Sequence, residues 1–293
     1  MDFIIENEIL KVILTTKGAS VKSVIYKKDN VEHIWEGDPN VWKGQAPILF
    51  PYTGRLKNKR YILNGKEYTN CSPHGFARDL EHSVVSHNEN ELVLELTDSD
   101  ETREKWPFKF ALQSTFKLIG NKIEHTLKIE NTDNKEFGFG IGFHPGFALP
   151  FDKNHTYKDY ELRFDKTESP LCIETDKDGL VSGKTYYLGK NITAIPLTDK
   201  LFENDSHCMT ALNSETLGVY EKDSNRAVVC EIKGFPYCLI WSMPGEPRFV
   251  CIEPWHSLPD ESNTNFRWEE KPAATVVQSG KTWSTTLTTT FIR

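Results

Sequence analysis

The C-terminal stretch KTWSTTLTTTFIR, from Lys281 to Arg293, alternates apolar and polar residues with a period of two. Trp283, Leu287 and Phe291 fall on one face with threonines between them, and the opposite face carries only threonine and serine from Thr282 to Thr290. Alternation of this kind, rich in β-branched residues, is typical of a β-strand with one buried face. The stretch therefore predicts a long strand of a β-sheet protein.

The same alternation recurs upstream in Phe108 to Leu118 and Asn121 to Ile129. Asn64-Gly65 favours a hairpin turn, because both positions tolerate a positive φ. Helical periodicity is scarce, and we expect only a short helix over Asp98 to Trp106, since the residue before Pro107 disfavours the α region. These patterns predict an all-β fold, a large antiparallel β-sandwich with few short helices, as a single domain over residues 1–293.

Composition narrows the functional classes. The 293-residue chain has a net charge of −7 and no basic stripe, which argues against nucleic acid and anionic membranes as partners. Its N-terminus lacks the pattern of a signal peptide, and no apolar run approaches the roughly 20 residues that cross a bilayer. The six cysteines are scattered without C-x-x-C, which favours buried free thiols, no zinc site and a reducing cytoplasm. The oligomeric state stays open.

Four stretches interrupt the alternation and are the candidates for a functional site. Each one places a His, an Arg or a Glu among glycines and prolines at a predicted strand end, where side chains can turn into a cleft. They are Pro47 to Leu56, Ser72 to Asp79, Gly140 to Phe147 and Cys251 to Asp260.

Glu253 is the most informative residue of these stretches. It follows the apolar run Phe249 to Ile252 and precedes Pro254-Trp255. A carboxylate held between a buried strand and an aromatic ring is a candidate for a raised pKa, which suits a general base. The chain has no nucleophile elbow, P-loop or dinucleotide fingerprint. Acid–base chemistry on a hydroxylated substrate is the function that these residues favour.

Structural roles compete with functional ones for the same residues. A histidine beside glycine is more often a turn or core residue than a catalyst. Arg78 could simply pair with Asp79 or Glu81 at the surface. Tryptophans in a β-sandwich are more often core than ligand contacts. Only the combination of several such residues therefore indicates a site.

Taken in order, the four stretches resemble the aldose 1-epimerase (galactose mutarotase-like) superfamily. The resemblance rests on HGFAR at His74 to Arg78, FHPGF at Phe143 to Phe147, EPW at Glu253 to Trp255 and FPYTGRL at Phe50 to Leu56. It extends from about the first strand to the last, and it is strongest to the bacterial epimerase-like proteins. It implies a β-sandwich that binds a small-molecule sugar in an open cleft, with no cofactor and no metal.

The resemblance also implies roles for individual residues. Glu253 is expected to be the general base, His144 the general acid, and His74 an assistant at the ring oxygen. Arg55 is expected to bind sugar hydroxyls, and Asp205 is the nearest candidate for an additional hydroxyl-binding acid. Because the acid must be protonated while the base is ionised, a bell-shaped pH profile is expected.

The remaining binding candidates follow from the same motifs. Trp255 and Phe76 are the candidate stacking faces for a pyranose ring. Arg78, together with Arg55, could hold a phosphate, because two guanidinium groups bind phosphate bidentately.

Three other functions stay open at this point. A hexose-6-phosphate 1-epimerase would keep the same mechanism and use Arg55 and Arg78 for the phosphate. A non-catalytic carbohydrate-binding protein could use the same sandwich without chemistry. A glycosidase is disfavoured because it would need two cooperating carboxylates, and only Glu253 stands out.

Overall fold

The fold is described by a computed structural model that covers residues 1–293. Strands hold 48% of the residues and helices 6%, which confirms the all-β prediction. The α-helix α1 (Asp100–Lys105) lies inside the predicted range, and Ser99 caps it by accepting a hydrogen bond from the Thr102 N–H at 3.2 Å. None of the helices has both the length and the apolar character to cross a bilayer. The four short 3-10 helices are Lys57–Lys59, Ala77–Asp79, Tyr157–Asp159 and Trp268–Glu270.

The strands follow one another with short connections along the whole chain. In order they are β1 (Asp2–Glu6), β2 (Leu10–Thr15), β3 (Ser20–Tyr26), β4 (Val31–Glu32), β5 (Ile48–Leu49), β6 (Tyr61–Leu63), β7 (Lys66–Tyr68), β8 (Ser83–His87), β9 (Glu91–Thr97), β10 (Phe110–Ile119), β11 (Lys122–Asn131), β12 (Phe137–Phe139), β13 (Gly142–Phe143), β14 (Gly146–Ala148), β15 (Tyr160–Glu168), β16 (Leu171–Thr175), β17 (Val181–Tyr187), β18 (Ile192–Pro196), β19 (His207–Thr210), β20 (Thr216–Glu221), β21 (Ala227–Glu231), β22 (Tyr237–Trp241), β23 (Phe249–Trp255), β24 (Thr275–Val277) and β25 (Thr282–Ile292).

Two large antiparallel sheets dominate the molecule. The nine-stranded sheet has the order β18-β15-β20-β21-β25-β11-β10-β9-β8. The eight-stranded sheet has the order β17-β16-β19-β22-β23-β13-β5, with β14 also paired to β23. A four-stranded sheet, β1 to β4, and two hairpin-sized sheets complete the fold. The predicted antiparallel β-sandwich is therefore confirmed.

The nine-stranded sheet forms where the sequence alternates most regularly. β25 pairs with both β11 and β21, so it lies in the middle of the sheet. Leu287 and Phe291 are buried on its inner face, as the alternation predicts. The predicted hairpin turn at Asn64-Gly65 joins β6 to β7, and both turn residues have a positive φ. One apolar core joins the inner faces of the two large sheets.

Strand β23 shows how the eight-stranded sheet divides its two faces. Val250 and Ile252 point into the common core, whereas Cys251, Glu253 and Trp255 point to the opposite side. All six cysteines are buried free thiols, as predicted. The outer face of the eight-stranded sheet is the surface on which the candidate site lies.

Candidate active site

Glu253 lies on the outer face of β23, opposite Leu239 of β22. The period of two in Phe249 to Trp255 determines this orientation, because neighbouring side chains alternate between the core and the outer face. The Glu253 side chain is only 2% exposed. A carboxyl group is thus held on a rigid central strand with very little water around it.

His144 follows β13 directly and faces Glu253. Its Nε2 lies 3.3 Å from Oε2 of Glu253, and its side chain is 9% exposed. The approach of the two strands depends on Gly142, because a Cβ there would lie 2.6 Å from Cδ1 of Trp255. The structure therefore brings the predicted acid and the predicted base into direct contact.

His74 reaches the same place from a tight turn. His74 and Gly75 have φ of 67° and 74°, and a Cβ on Gly75 would lie 2.1 Å from the Phe50 carbonyl oxygen. The ring Nδ1 accepts a hydrogen bond from the Gly54 N–H at 3.1 Å. In the neutral ring the proton must therefore be on Nε2. His74 is a fixed hydrogen-bond donor whose ring centroid lies 5.5 Å from that of His144.

A cavity of about 180 Å³ opens above these three side chains. Most residues predicted for the site line this one cavity. They are Arg55, His74, Arg78, His144, Asp205, Glu253 and Trp255. Four segments far apart in the sequence and the turn before β19 are thus brought together. Asp205 is exposed at the cavity mouth, in a turn where its φ is 78°.

The two predicted stacking faces differ in position. Trp255 lines the cavity, but it is 3% exposed, so most of its ring packs against protein. Phe76 is buried in the core, where its ring contacts Phe50 and Phe110 with centroids 6.2 Å apart in both cases. Phe76 is a core residue and not a wall of the cavity, which corrects the stacking role predicted for it.

Two tryptophans that the sequence motifs do not include also line the cavity. Trp42 stacks on the His144 ring, with centroids 5.1 Å apart and planes at 26°. Trp241 meets the same ring edge-on at 5.6 Å. Trp241 shares the cavity face of the sheet with Glu253, so the alternation in β22 was a usable signal. Trp42 lies in an irregular segment, where no alternation marks its orientation in the sequence.

Burial is the main cause of the pKa shifts of Glu253 and His144. It raises the pKa of Glu253 well above its ordinary value, and the charge of Asp205 adds to the effect. It also lowers the pKa of His144 to about 3, with a further contribution from the positive charge of Arg78. Both shifts disfavour charge in a site of low polarity. Over a wide pH range the pair therefore holds one proton between two neighbouring atoms.

Burial also lowers the pKa of His74 well below its ordinary value, and the charges of His144 and Arg78 act in the same direction. His74 is therefore neutral at physiological pH. Neutrality agrees with its Nδ1 accepting the Gly54 N–H, which an imidazolium could not do.

Arg78 has the least satisfied charge at the cavity. Its guanidinium is acted on by the charges of Asp79 and Glu253 but by no hydrogen bond. It also lines a neighbouring groove of about 400 Å³ that contains Lys17, Lys22 and Lys43. The Arg55 side chain is exposed and donates to the Asp178 carbonyl oxygen at 3.3 Å. One side of the cavity is therefore basic.

Two groups of side chains have the donor types for a metal ion. His144, Cys251 and Glu253 offer atoms within 4.8 Å of one another, but the first and last already contact each other. Asp152, His155 and Glu221 form the second group, and Arg226 already provides the positive charge there. Neither arrangement requires a cation to be explained.

Comparison with known proteins gives matches along most of the chain. The sequence profile of the family described as "Aldose 1-epimerase" matches residues 1–278. Protein LacX of Lactococcus lactis subsp. lactis is 30% identical over 281 residues, which cover 93% of this chain and 93% of the relative. A Salmonella typhimurium protein with the provisional name glucose-6-phosphate 1-epimerase is 26% identical over 242 residues, 79% of this chain and 71% of that protein.

A solved structure gives the same result for the fold. The galactose mutarotase related enzyme from Lactobacillus acidophilus superposes with a TM-score of 0.94 at 30% sequence identity. The match covers 99% of this chain and 97% of that chain. Similarity therefore extends over the whole sandwich and is not limited to the cavity.

Proposed function

The chain belongs to the aldose 1-epimerase family and is an isomerase-type enzyme for a sugar, and we propose that it interconverts the α and β anomers of a free hexose. The observation that carries the proposal is the buried contact of 3.3 Å between His144 Nε2 and Glu253 Oε2. In a pyranose, the anomeric oxygen O1 and the ring oxygen O5 are both bonded to C1. An acid and a base that serve these two oxygens must therefore be neighbours.

Ring opening needs two proton transfers, which this pair can make together. The Glu253 carboxylate takes the proton of the anomeric hydroxyl while the His144 imidazolium gives its proton to O5. The C1–O5 bond breaks, and C1 becomes the carbonyl carbon of the open aldehyde. Rotation about C1–C2 presents the other face of the carbonyl, and the reverse transfers close the ring. Each well-placed proton transfer contributes about 10²–10⁴-fold.

The single proton that His144 and Glu253 share before the sugar binds suits this reaction. The state with an ionised Glu253 and a protonated His144 has the same number of protons as the state in which both are neutral. Sugar hydroxyls that enter the cavity supply hydrogen-bonding partners for the charged state, which burial alone disfavours. The substrate thus helps to create the charge distribution that its own ring opening requires.

His74 acts as a neutral donor in this mechanism. Because its Nδ1 is occupied by the Gly54 N–H, its Nε2–H is available to O5 or to a neighbouring hydroxyl. Arg55 and Asp205, at the opening of the cavity, are proposed to bind the hydroxyls at the far end of the ring. Trp42 is proposed to cover the reacting end, together with the exposed part of Trp255.

A hexose 6-phosphate is the second candidate substrate, and Arg78 is the observation that favours it. C6 is bonded to C5, next to O5, so a sugar with O5 at His144 directs C6 towards the histidine side. Arg78 is close enough to lower the pKa of both His144 and His74, and it continues into the lysine-containing groove. A phosphate there would accept hydrogen bonds from the Arg78 guanidinium, which has no other hydrogen-bond partner. The Salmonella typhimurium relative carries a matching name.

Polarimetry on freshly dissolved α-D-glucose and α-D-galactose tests the main proposal. We expect the wild type to accelerate mutarotation and Glu253→Gln to lose this activity. A coupled assay on glucose 6-phosphate, with wild type, Arg78→Ala and Arg55→Ala, tests the second candidate. If Arg78 binds phosphate, Arg78→Ala loses the phosphorylated substrate at least tenfold more than the free sugar, whereas Arg55→Ala affects both alike.

The outcomes are distinct. Acceleration only of the phosphorylated sugar replaces the free hexose by its 6-phosphate and keeps the mechanism. Sugar binding without acceleration of either substrate would reject catalysis in favour of a carbohydrate-binding protein. Full activity of Glu253→Gln would remove Glu253 from the role of base.

A further inference from the structure

Asp205 reaches the mouth of the sugar cavity from a turn that precedes β19. Its φ of 78° lies in the left-handed region, which a residue other than glycine adopts at a cost. Oδ1 of Asp205 accepts the Ser206 N–H at 2.9 Å, so Oδ2 is the oxygen left for a ligand. The direction of that oxygen depends on how firmly the turn is held.

His207, the first residue of β19, holds this turn from the side away from the cavity. It pairs with Ile240 of the common core, whereas its neighbour Cys208 lines the cavity, so the His207 side chain points to the core side of the sheet. Its Nε2 lies 2.6 Å from the Leu201 carbonyl oxygen, and its Nδ1 lies 2.7 Å from the Tyr186 hydroxyl. Both ring nitrogens are therefore bonded, one to the turn and the other to β17.

These two bonds determine where the ring carries its proton. A backbone carbonyl can only accept, so Nε2 of His207 must carry the proton and donate it to Leu201. Burial lowers the pKa of His207, so the ring is neutral at pH 7 and its Nδ1 keeps a free lone pair. The Tyr186 hydroxyl then donates to Nδ1. A chain of two hydrogen bonds with one direction thus runs from β17 through His207 to the turn.

The other contacts of the turn are weaker or less directional. Its own backbone hydrogen bonds, donated by Leu201, Glu203 and Asp205, are 3.2 or 3.3 Å long, at the long end of the usual range. Phe202 is only 1% exposed, and its ring centroid lies 6.1 Å from that of His207. Packing of this ring restricts where the turn lies, and the short bond from His207 adds the orientation of its backbone.

We propose that His207 is a positioning residue for sugar binding, which fixes the turn of residues 198–206 so that Oδ2 of Asp205 faces the sugar. His207 acts only through Asp205 and does not touch the substrate. Its role rests on the proposed function, in which Asp205 binds hydroxyls at the far end of the ring. Those hydroxyls do not react, so the contact is the same before and during ring opening, and its loss weakens binding without slowing the chemical step.

His207→Leu tests the proposal through the two kinetic parameters. The variant loses both ring hydrogen bonds, and we expect KM to rise about five- to twentyfold while kcat changes less than about twofold. His207→Gln keeps a donor for the Leu201 carbonyl and should recover most of the lost affinity. His87→Leu is the matched control, because Nε2 of His87 also bonds a backbone carbonyl, that of Ile4 at 2.8 Å, but on the exposed strand β8. It should leave KM unchanged.

A double-mutant cycle with Asp205→Ala distinguishes positioning from a general loss of structure. If His207 acts through Asp205, His207→Leu should raise KM by less than about twofold once residue 205 is already alanine. A defect that spreads through the fold would instead raise KM by the same factor in both backgrounds, and it would lower kcat as well.

Two direct measurements show whether His207 holds the turn, independently of any activity. NMR of protein with ¹⁵N-labelled histidine should show His207 as the neutral Nε2–H tautomer at pH 7. Limited trypsin digestion reports on the turn itself, because the exposed Lys200 directly precedes Leu201. His207→Leu should speed cleavage after Lys200 at least about tenfold, since local opening of the turn becomes easier, and His87→Leu should not.

Any one of three results rejects the proposal. They are a neutral His207 ring with its proton on Nδ1, a folded His207→Leu protein with the wild-type KM, and a rise in KM that is as large without the Asp205 carboxylate as with it. If His207→Leu does not fold, Tyr186→Phe takes its place, removes only the donor to Nδ1, and should raise KM about two- to fivefold. If the wild type isomerises no sugar, the proposed function fails, and the NMR and trypsin results still decide whether His207 holds the turn.

Discussion

The nine-stranded sheet and the outer face of the eight-stranded sheet are built from the same kind of strand but under opposite constraints. β11 alternates along most of its length, and β11 and β25 bury Leu127 and Leu287 in the common core. β23 turns Glu253 away from that core and towards the cavity. On β10 and β11 of the first sheet one face is buried and the other is partly exposed to water. On β23 of the second sheet both faces are buried, and one of them carries the Glu253 carboxyl group.

This contrast separates the groups that determine stability from those that determine chemistry. A buried leucine on the nine-stranded sheet contributes through packing, whereas buried Glu253 and His144 have strongly shifted pKa values and add little to stability. Substitutions in the two regions should therefore have opposite effects on stability and on turnover.

Glu253→Gln should produce the largest effect on turnover. Loss of the base is expected to lower kcat at least about 100-fold, up to the 10²–10⁴-fold attributed to a general base. The free energy of unfolding should stay the same or rise, because a buried group with a raised pKa is replaced by a neutral one. Polarimetry and urea denaturation measure the two quantities. Glu261→Gln, at an exposed acid eight residues further on, is the control and should change neither.

Leu127→Ala is the opposite case on the nine-stranded sheet. Leu127 is completely buried on β11, and its truncation should lower the free energy of unfolding by about 2–5 kcal/mol. The folded protein should keep its kcat, because Leu127 does not line the cavity. Thr126→Ala, on the exposed face of the same strand, should cost less than about 1 kcal/mol. A large fall in kcat for folded Leu127→Ala would contradict the separation.

The nine-stranded sheet was also the part most accessible from the sequence. Period-two alternation survives because one face is buried and the other solvated, so the position of Leu287 and Phe291 follows from residue order alone. The pairing of β25 with β11 is different, since partners about 160 residues apart leave no local signal. Strand existence was predictable, and strand order was not.

The site was predictable only in part, for a physical reason in each case. Glycine and proline break the strand pattern around Glu253, His144 and His74, and this break marks them as candidates in the sequence. Phe76 was misplaced because the positive φ values of His74 and Gly75 reverse the chain, which sends the next ring into the core. Trp42 was missed because its segment has no periodicity.

Trp42→Leu should reduce kcat by a smaller amount than Glu253→Gln. The indole face stacks on His144 and should attract the imidazolium form through a cation–π contact of about 0.5–2 kcal/mol, or roughly 2- to 30-fold. Trp42→Phe keeps an aromatic face and should lose less. Polarimetry at saturating sugar measures both variants. Equal losses for the leucine and phenylalanine variants would show that the ring acts only by filling space.

The last prediction concerns pH and expects the smallest effect. Between pH 6.5 and pH 5.5, kcat/KM should not change. The active pair holds one proton, so activity is lost when it binds a second proton at low pH or releases the first at high pH. Because burial lowers the pKa of His144 to about 3 and raises that of Glu253, the one-proton window widens in both directions. The bell-shaped profile then has a broad top, and kcat/KM should not fall as the pH passes through 6.5.

The free energy of unfolding must be measured over the same pH range, because it is expected to change where kcat/KM is expected to stay level. The pKa of His33 and of His256 is lowered to about 4 by burial, so between about pH 4 and pH 6.5 these two side chains bind more protons in the unfolded chain than in the folded one. The free energy of unfolding should therefore decline as the pH falls from 6.5, while kcat/KM per folded molecule stays level. An acidic limb of kcat/KM with a midpoint near 6.5 would mean that His144 titrates as a solvated histidine. The cavity floor would then be as wet as the outer face of the nine-stranded sheet, and the contrast between the two regions would not hold.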